Sequence, residues 1–377
     1  MTTASETPQE GVSTRFTKRE ALLVLAQKTQ QDGWNRQRYV DTRTLNASVF
    51  GFPLSVVSND GRVLEAAGLA LSRFSSAALR RRARPLTLRI FVRERGRDPA
   101  VSLPLPADGA MPSTYDAHGD HAAIGFGDHG HCALNLATGE AVAFMSDALA
   151  ARMSDVAHLV VSTSLLILMT RRGMVQWHAA TVVRRNHAFM IIGEDNRGKS
   201  TTALALVHSG YQLLGESVTY TRRRRTSFEI MSFPAGYLQV RAGGLALFPE
   251  LAAHAQPVVS DDGDKWRLDL RALFPHAILD RLPAAPRLTL LFVGVGSGPQ
   301  TTLLRLSPDE ALRRAIPACS LWEERPVLDG IIDEVVALVE RVPAFEMVVG
   351  PDLASVVAAV DGLRQDRQAR PREKETR

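Results

Sequence analysis

The stretch HAFMIIGEDNRGKSTTALALVHSGYQLLGESV, residues 187–218, decides the fold. It begins with an apolar run typical of a strand and continues into the pattern G-x-x-x-x-G-K-S. The fixed places of that pattern are Gly193, Gly198, Lys199 and Ser200. A helical segment, KSTTALALVHS, follows and is closed by Gly210. A strand, a glycine-bounded loop and a helix in this order are typical of a phosphate-binding loop, so the sequence predicts an α/β domain around a nucleotide.

Each residue type in the loop has a physical reason. Glycine allows backbone N–H groups to turn toward phosphate oxygens where a Cβ would obstruct them. Lys199 brings a cation to the outer phosphates, Ser200 offers a hydroxyl to Mg²⁺, and the helix N-terminus favours an anion. The pattern therefore predicts ATP and Mg²⁺ as cofactors. Two carboxylates inside the loop, Glu194 and Asp195, have no physical explanation at this level.

The segments around the loop supply candidate catalytic groups. MVQWHAATVV and HAFMIIG, joined by residues 184–186, predict a hairpin whose second strand leads into the loop. YQLLGESV predicts a strand with Glu216 near its carboxyl end, where strand ends converge on a ligand crevice. Glu216 is a candidate metal ligand or general base, the alternative being a solvated loop residue. His178 in the adjoining hairpin strand is a candidate catalyst, the alternative being a structural histidine.

The composition is that of a soluble globular protein. The chain has 377 residues, 45% of them hydrophobic and 23% charged, which suggests two domains or one with a large extension. Arginine clusters at residues 80–82 and 222–225 are interpreted as solvated surface, because no basic aromatic module indicates a specific nucleic-acid partner. Cys132 and Cys319 stand far apart and predict neither a disulfide framework nor a zinc site, which fits a cytoplasmic location.

The two ends and one apolar segment bear on membrane contact. Residues 1–14 are predicted to be disordered and lack a secretory-signal pattern, and residues 364–377 form a charged segment predicted to be disordered. VAHLVVSTSLLILM, residues 156–169, is too short to span a bilayer and carries a histidine and hydroxyls. A buried helix is predicted there, and no membrane partner is expected.

Residues 15–150 predict an N-terminal α+β module, a candidate for substrate recognition. It contains a segment rich in histidine and aspartate: Asp116, His118, Asp120, His121, Asp128, His129 and His131. Imidazole and carboxylate are common metal ligands, but the spacing fits no metal template. Turn chemistry explains the aspartates without a metal, and the alternative of a metal site stays open.

The residues quoted above carry a resemblance to a known family. WHAATVV followed by FMIIGEDNRGKSTTALALVHSGYQLLGESV resembles the C-terminal catalytic domain of HPr kinase/phosphorylase and its relatives. The similarity resumes at RVPAFEMVVGPDLASVVAAV, residues 341–360, and implies an ATP-binding catalytic domain over residues 151–363. It also implies a fold like the nucleotide domain of phosphoenolpyruvate carboxykinase rather than the parallel sheet of P-loop ATPases.

The resemblance implies roles for individual residues. The nucleotide would be bound by Gly193, Asn196, Arg197, Gly198, Lys199, Ser200 and Thr201. Ser200 and Glu216 would hold Mg²⁺, and His178, Lys199 and Glu216 would be catalytic, with His178 beside the transferred phosphate. Glu216 stands where the family has the first of two adjacent aspartates, and Ser217 stands at the second. Arg241 lies in a segment that replaces the glycine-rich signature of the bifunctional enzymes.

The implied activity is an ATP-dependent serine kinase. Its acceptor would be a peptide or small protein, with the C-terminal serine of a lasso-peptide precursor as one candidate. Loss of the second carboxylate at Ser217 supports an alternative, a non-catalytic ATP-binding regulatory protein of the same descent. The sequence leaves the oligomeric state open, a homo-oligomer included.

Overall fold

The structure is a computed structural model, and it describes most of the chain. The described residues are 18–71, 83–93, 114–232, 237–258, 265–279, 282, 286–319 and 325–365. The predictions for residues 1–14, for the arginines at 80–82 and for the tail beyond Gln365 lie outside these ranges.

A seven-stranded sheet forms the first part of the chain. Its strands are β1 Arg43–Val49, β2 Phe52–Ser58, β3 Leu86–Val92, β4 Thr114–His118, β5 His121–Gly125, β6 Gly130–Asn135 and β7 Glu140–Met145. They follow the order β1-β2-β3-β7-β6-β5-β4, and β2, β3 and β7 are parallel neighbours whereas the other pairs are antiparallel. Helices α1 Lys18–Tyr39 and α2 Gly61–Leu71 pack against this sheet. A short 3-10 turn spans Gly127–His129.

The predicted apolar helix is present and buried, with an irregular first half. The segment contains α3 Asp147–Ala150, α4 Met153–Asp155, a π-helical stretch Val156–Ser162 and α5 Thr163–Thr170. Hydroxyls of Ser162 and Thr163 donate to carbonyls five residues earlier, as the wider π turn permits. The stretch Met153–Thr170 is long and apolar enough to span a membrane by length and composition, but over half of it is buried inside the protein.

A mixed eight-stranded sheet carries the loop. Its strands are β8 Val175–Arg184, β9 His187–Ile192, β10 Gln212–Gly215, β11 Val218–Arg223, β12 Phe228–Ser232, β16 Arg287–Val295, β17 Thr302–Arg305 and β18 Ala344–Val349. Their order is β12-β11-β8-β9-β16-β18-β17, with β10 also paired to β8. Only β9, β16 and β18 are parallel neighbours, so the sheet is mixed rather than parallel throughout.

Both faces of this sheet are covered, which explains why every residue of β9 is buried. One face packs on α9 Pro308–Ala315 and α10 Arg325–Arg341. The other packs on α6 Lys199–His208, α11 Leu353–Gln365 and a small antiparallel sheet. That small sheet and its helical turns comprise β13 Tyr237–Arg241, β14 Gln256–Val258, β15 Lys265–Asp269, α7 Ala242–Leu245, α8 Leu270–Leu273 and the 3-10 turn Pro249–His254. The 3-10 turn Ile316–Ala318 follows α9 on the first face.

The predicted hairpin before the loop is present with a tighter turn. Arg184 belongs to β8 and pairs with His187, so the turn is formed by Arg185 and Asn186 alone. Arg185 has a φ of 54°, the left-handed conformation that two-residue hairpin turns require.

The two large sheets meet through aromatic side chains. The rings of Phe50 and Tyr220 lie 5.5 Å apart, and Tyr220 shares the core of the first sheet. The apolar helix also packs in that core, although it follows residue 150. The proposed division of the chain at residue 150 stays a prediction.

Candidate functional site

The loop between β9 and α6 has a backbone that requires its glycines. A Cβ at Gly193 would lie 2.9 Å from the carbonyl oxygen of Val293, on the neighbouring strand β16. Gly198 has a φ of 91° and Asn196 a φ of 64°, both in the left-handed region. The glycine pattern read from the sequence therefore corresponds to a close backbone approach at one end and a left-handed turn at the other.

Lys199 is held against the inner wall of this loop. Its ammonium group donates to the carbonyl oxygens of Gly193 at 2.8 Å and Glu194 at 2.9 Å. The residue is only 8% exposed, and this burial lowers the pKa of Lys199, which the nearby Asp195 carboxylate partly opposes. The Lys199 cation and the N-terminus of α6 therefore both favour an anion bound in the loop.

Asp195 joins the lysine to the predicted catalytic histidine. Its Oδ1 atom lies 3.0 Å from Nε2 of His178 and 3.6 Å from Nζ of Lys199. The hydrogen bond with His178 lowers the pKa of Asp195, so the carboxylate is ionised at neutral pH. The sequence did not predict the contact between Asp195 and His178, because His178 stands 17 positions earlier, on β8, whereas Asp195 lies in the loop.

The second loop carboxylate has a different partner. Glu194 Oε2 lies 3.4 Å from Nε of Arg197, three residues later, and both side chains are mostly exposed. Arg197, implied by the resemblance to bind nucleotide, is thus paired within the loop itself.

Glu216 lies at an irregularity rather than at the end of one continuous strand. The predicted strand YQLLGESV is divided into β10 and β11, which pair in succession along β8. The register shift lies within β10, between Leu213 and Gly215, whereas the Gly215–Thr181 and Val218–His178 pairs keep one register across the break at Glu216 and Ser217. The break places Glu216 two residues from Val218, the partner of His178, at the end of the sheet where the loop begins.

The carboxyl group of Glu216 is placed in an unusual environment. It accepts a hydrogen bond from the backbone N–H of Gln239 on β13. Burial raises the pKa of Glu216 to about 7, although the Gln239 N–H and the cations of Lys265 and Arg267 act in the opposite direction. A carboxyl group that titrates near neutral pH is suited to accept a proton at working pH.

The remaining predicted residues line the first turn of α6. Ser200 follows Lys199 directly, and Thr201 packs on α7, where a Cβ at Gly244 would lie 2.5 Å from the Thr201 hydroxyl. Arg241 immediately precedes that helical turn. Loop, lysine and helix N-terminus fit a polyphosphate, and the Ser200 hydroxyl and Glu216 carboxyl are the hard oxygen donors that Mg²⁺ prefers.

The histidine-rich segment does not converge on a common point. His131 is buried, with Nε2 2.9 Å from the Thr29 hydroxyl, and burial lowers its pKa to about 4. His129 Nδ1 instead contacts the hydroxyl of Ser146. Within the described ranges, no three histidine, cysteine or acidic side chains gather into a metal-binding group.

The arginine strip after β11 is partly neutralised. Arg223 pairs with Glu334 at 3.1 Å, and Arg224 pairs with Glu229 at 2.7 Å. These pairs involve partly exposed side chains, as expected for a solvated surface.

Comparison with known proteins adds little to this geometry. No protein-family model matches the chain, and no curated protein matches it. Among solved structures, the HPr(Ser) kinase/phosphatase from Coxiella burnetii is similar over 52% of this chain and 99% of its own, at 15% identity and a TM-score of 0.27. A TM-score of this size does not establish a shared fold.

Proposed function

We propose that the protein is an ATP-dependent kinase that transfers the γ-phosphoryl group to the hydroxyl of a serine in a peptide or small protein. One observation carries the proposal: the loop with its buried Lys199, the imidazole of His178 and the carboxyl of Glu216 occupy one edge of the second sheet. This combination provides a phosphate cradle, a hydrogen-bond donor and a proton acceptor, which are the parts that phosphoryl transfer needs.

Each group has a distinct task in this reaction. Backbone N–H groups of the loop and the Lys199 ammonium bind the polyphosphate, Ser200 would hold Mg²⁺, and Glu216 would contact the ion through water. Magnesium-bound ATP supplies the phosphoryl group and neutralises developing charge. Glu216 takes the proton of the acceptor hydroxyl. The hydroxyl oxygen of the acceptor bonds to the γ-phosphorus, and the bond from that phosphorus to the ADP oxygen breaks. His178 donates from Nε2 toward the transferred phosphate.

The proposed membership is the HPr-kinase-like group, on the residues quoted for the resemblance. The proposed acceptor is a serine near the end of a flexible peptide, for example the C-terminal serine of a lasso-peptide precursor, in the cytoplasm. A flexible terminus suits the reaction because its hydroxyl can reach the γ-phosphate in line while the rest of the peptide is held elsewhere.

A second candidate is a nucleotide-binding regulatory protein that performs no transfer. Two observations favour it: Ser217 stands where the resemblance implies a carboxylate, and the Glu216 carboxyl already accepts the Gln239 N–H. In this case ATP binds without an acceptor being modified.

Mass spectrometry of candidate acceptors separates the two. The protein and Mg²⁺-ATP are incubated with precursor peptides, with the same peptides carrying alanine for the terminal serine, and with HPr. Serine kinase activity adds roughly 80 Da to the serine peptide and nothing to its alanine partner. Efficient labelling of HPr contradicts the proposed acceptor class. ATP binding by calorimetry without any labelled peptide supports the regulatory protein instead.

A further inference from the structure

The carboxylate of Asp195 lies among the donors that the proposed reaction needs for phosphate. Its Oδ1 atom contacts His178 Nε2 at 3.0 Å and approaches Lys199 Nζ at 3.6 Å. Both of these groups are assigned above to the polyphosphate. An anion of the chain itself therefore already takes the donors that a phosphate oxygen would use.

Little holds Asp195 in this position. Its side chain is 84% exposed and that of His178 is 46% exposed, and water screens ion pairs between exposed groups strongly. Lys199 keeps the carbonyl oxygens of Gly193 and Glu194 as acceptors, so it stays in place without Asp195. A phosphate group can thus replace the carboxylate, but the negative charge remains on the loop beside the ligand.

That charge affects metal-free and metal-bound nucleotides differently. Like charges a few ångströms apart repel each other even in water, and a metal-free polyphosphate meets the carboxylate with its full negative charge. Mg²⁺ cancels part of this charge. We propose that Asp195 is a specificity-determining residue that makes the loop prefer the magnesium complex of a nucleotide over the metal-free polyphosphate, an inference that rests on the proposed function.

The neighbouring Glu194 allows the effect of position to be separated from the effect of loop charge. It carries the same charge in the same loop, but its carboxylate pairs with Arg197 at 3.4 Å. The lowered pKa of Asp195 keeps its carboxylate ionised through the neutral range. Glu194→Gln is therefore a matched control for Asp195→Asn.

Calorimetry on the full chain tests the proposal. Wild type, Asp195→Asn and Glu194→Gln are titrated with ATP, once with EDTA and once with excess Mg²⁺. Asp195→Asn should bind ATP about tenfold more tightly than wild type in EDTA and change by less than about threefold in Mg²⁺. Glu194→Gln should stay within about twofold of wild type in both conditions. Pyrophosphate in EDTA should show the same gain with Asp195→Asn, because the effect acts on phosphates.

Three results overturn the proposal. The first is no gain for Asp195→Asn in EDTA, and the second is an equal gain for Glu194→Gln, which would reflect the net charge of the loop. The third is a loss confined to the Mg²⁺ titration, which would make Asp195 a metal ligand. Binding in the expected pattern without any peptide phosphorylation supports the role of Asp195 while rejecting the kinase. If none of the three proteins binds ATP or pyrophosphate, both the role of Asp195 and the proposed kinase are rejected.

Discussion

Replacing Glu216 with glutamine tests the reaction and the environment of this carboxyl together. Glutamine keeps the size of the side chain and an oxygen that can accept the Gln239 N–H, but it accepts no proton and carries no charge. If Glu216 is the base, phosphoryl transfer should fall by roughly a hundredfold or more while ATP still binds. In wild type the transfer rate should rise with pH and level off above about 7, where Glu216 is ionised.

The same substitution should change how stability depends on pH. Burial raises the pKa of Glu216 from an ordinary value of 4.5 to about 7, so the folded protein binds this proton more tightly than the unfolded chain. The resulting stabilisation is fully present below pH 4.5 and is lost as the pH rises through about 7. At 1.36 kcal/mol per pKa unit, wild type loses at most about 3 kcal/mol through this group, and Glu216→Gln loses none of it.

Urea unfolding at pH 5, 6, 7 and 8 measures the difference. The free energy of unfolding of Glu216→Gln relative to wild type should increase with pH by up to about 3 kcal/mol. Glu340→Gln, which removes an exposed carboxylate from α10, should follow wild type at every pH. Parallel pH profiles for Glu216→Gln and wild type, together with full transfer activity, would refute both the buried environment and the catalytic role.

Three further substitutions test the site. Lys199→Ala should weaken ATP binding at least tenfold by calorimetry, because the phosphates lose a cation held inside the loop; an unchanged dissociation constant would remove the phosphate-loop interpretation. His178→Ala should reduce transfer by about tenfold to a hundredfold with little change in melting temperature, because the side chain is 46% exposed; a large drop in melting temperature would identify a structural histidine. Gly215→Ala should cost about 2 kcal/mol or more in chemical unfolding, because its Cβ would lie 1.7 Å from the Ser232 hydroxyl. Gly243→Ala, which meets nothing within 4 Å, should not show this cost.

The elements that the sequence predicted are those with strong local signals. The apolar run of β9, the glycines at 193 and 198 and the helix ending near Gly210 all depend on residues close in the chain. The segment at residues 341–360, quoted for the resemblance rather than for a local signal, falls on β18 and α11, and α11 continues to Gln365, beyond the predicted start of the tail at residue 364.

The parts that the sequence did not predict depend on distant residues. The environment of Glu216 comes from Gln239, 23 positions later, and from the cations of β15. The break between β10 and β11 and the register shift inside β10 appear only in the pairing with β8, which the hydrophobic pattern of the segment does not contain. The π-helical start of the apolar helix likewise has no counterpart in residue periodicity.

The carboxylates of Glu216 and Asp195 show why counting acidic residues by position was insufficient. From the sequence, Ser217 indicated the loss of one carboxylate, but the loop brings another carboxylate, that of Asp195, into contact with His178. The two groups are not interchangeable. Asp195 is exposed, hydrogen-bonded to His178, close to the Lys199 cation and ionised, which makes it a weak proton acceptor, whereas Glu216 titrates near pH 7. Environments that separate the pKa values of two carboxyls also separate their roles, so the proposed base is Glu216, and the charge of Asp195 acts on nucleotide binding.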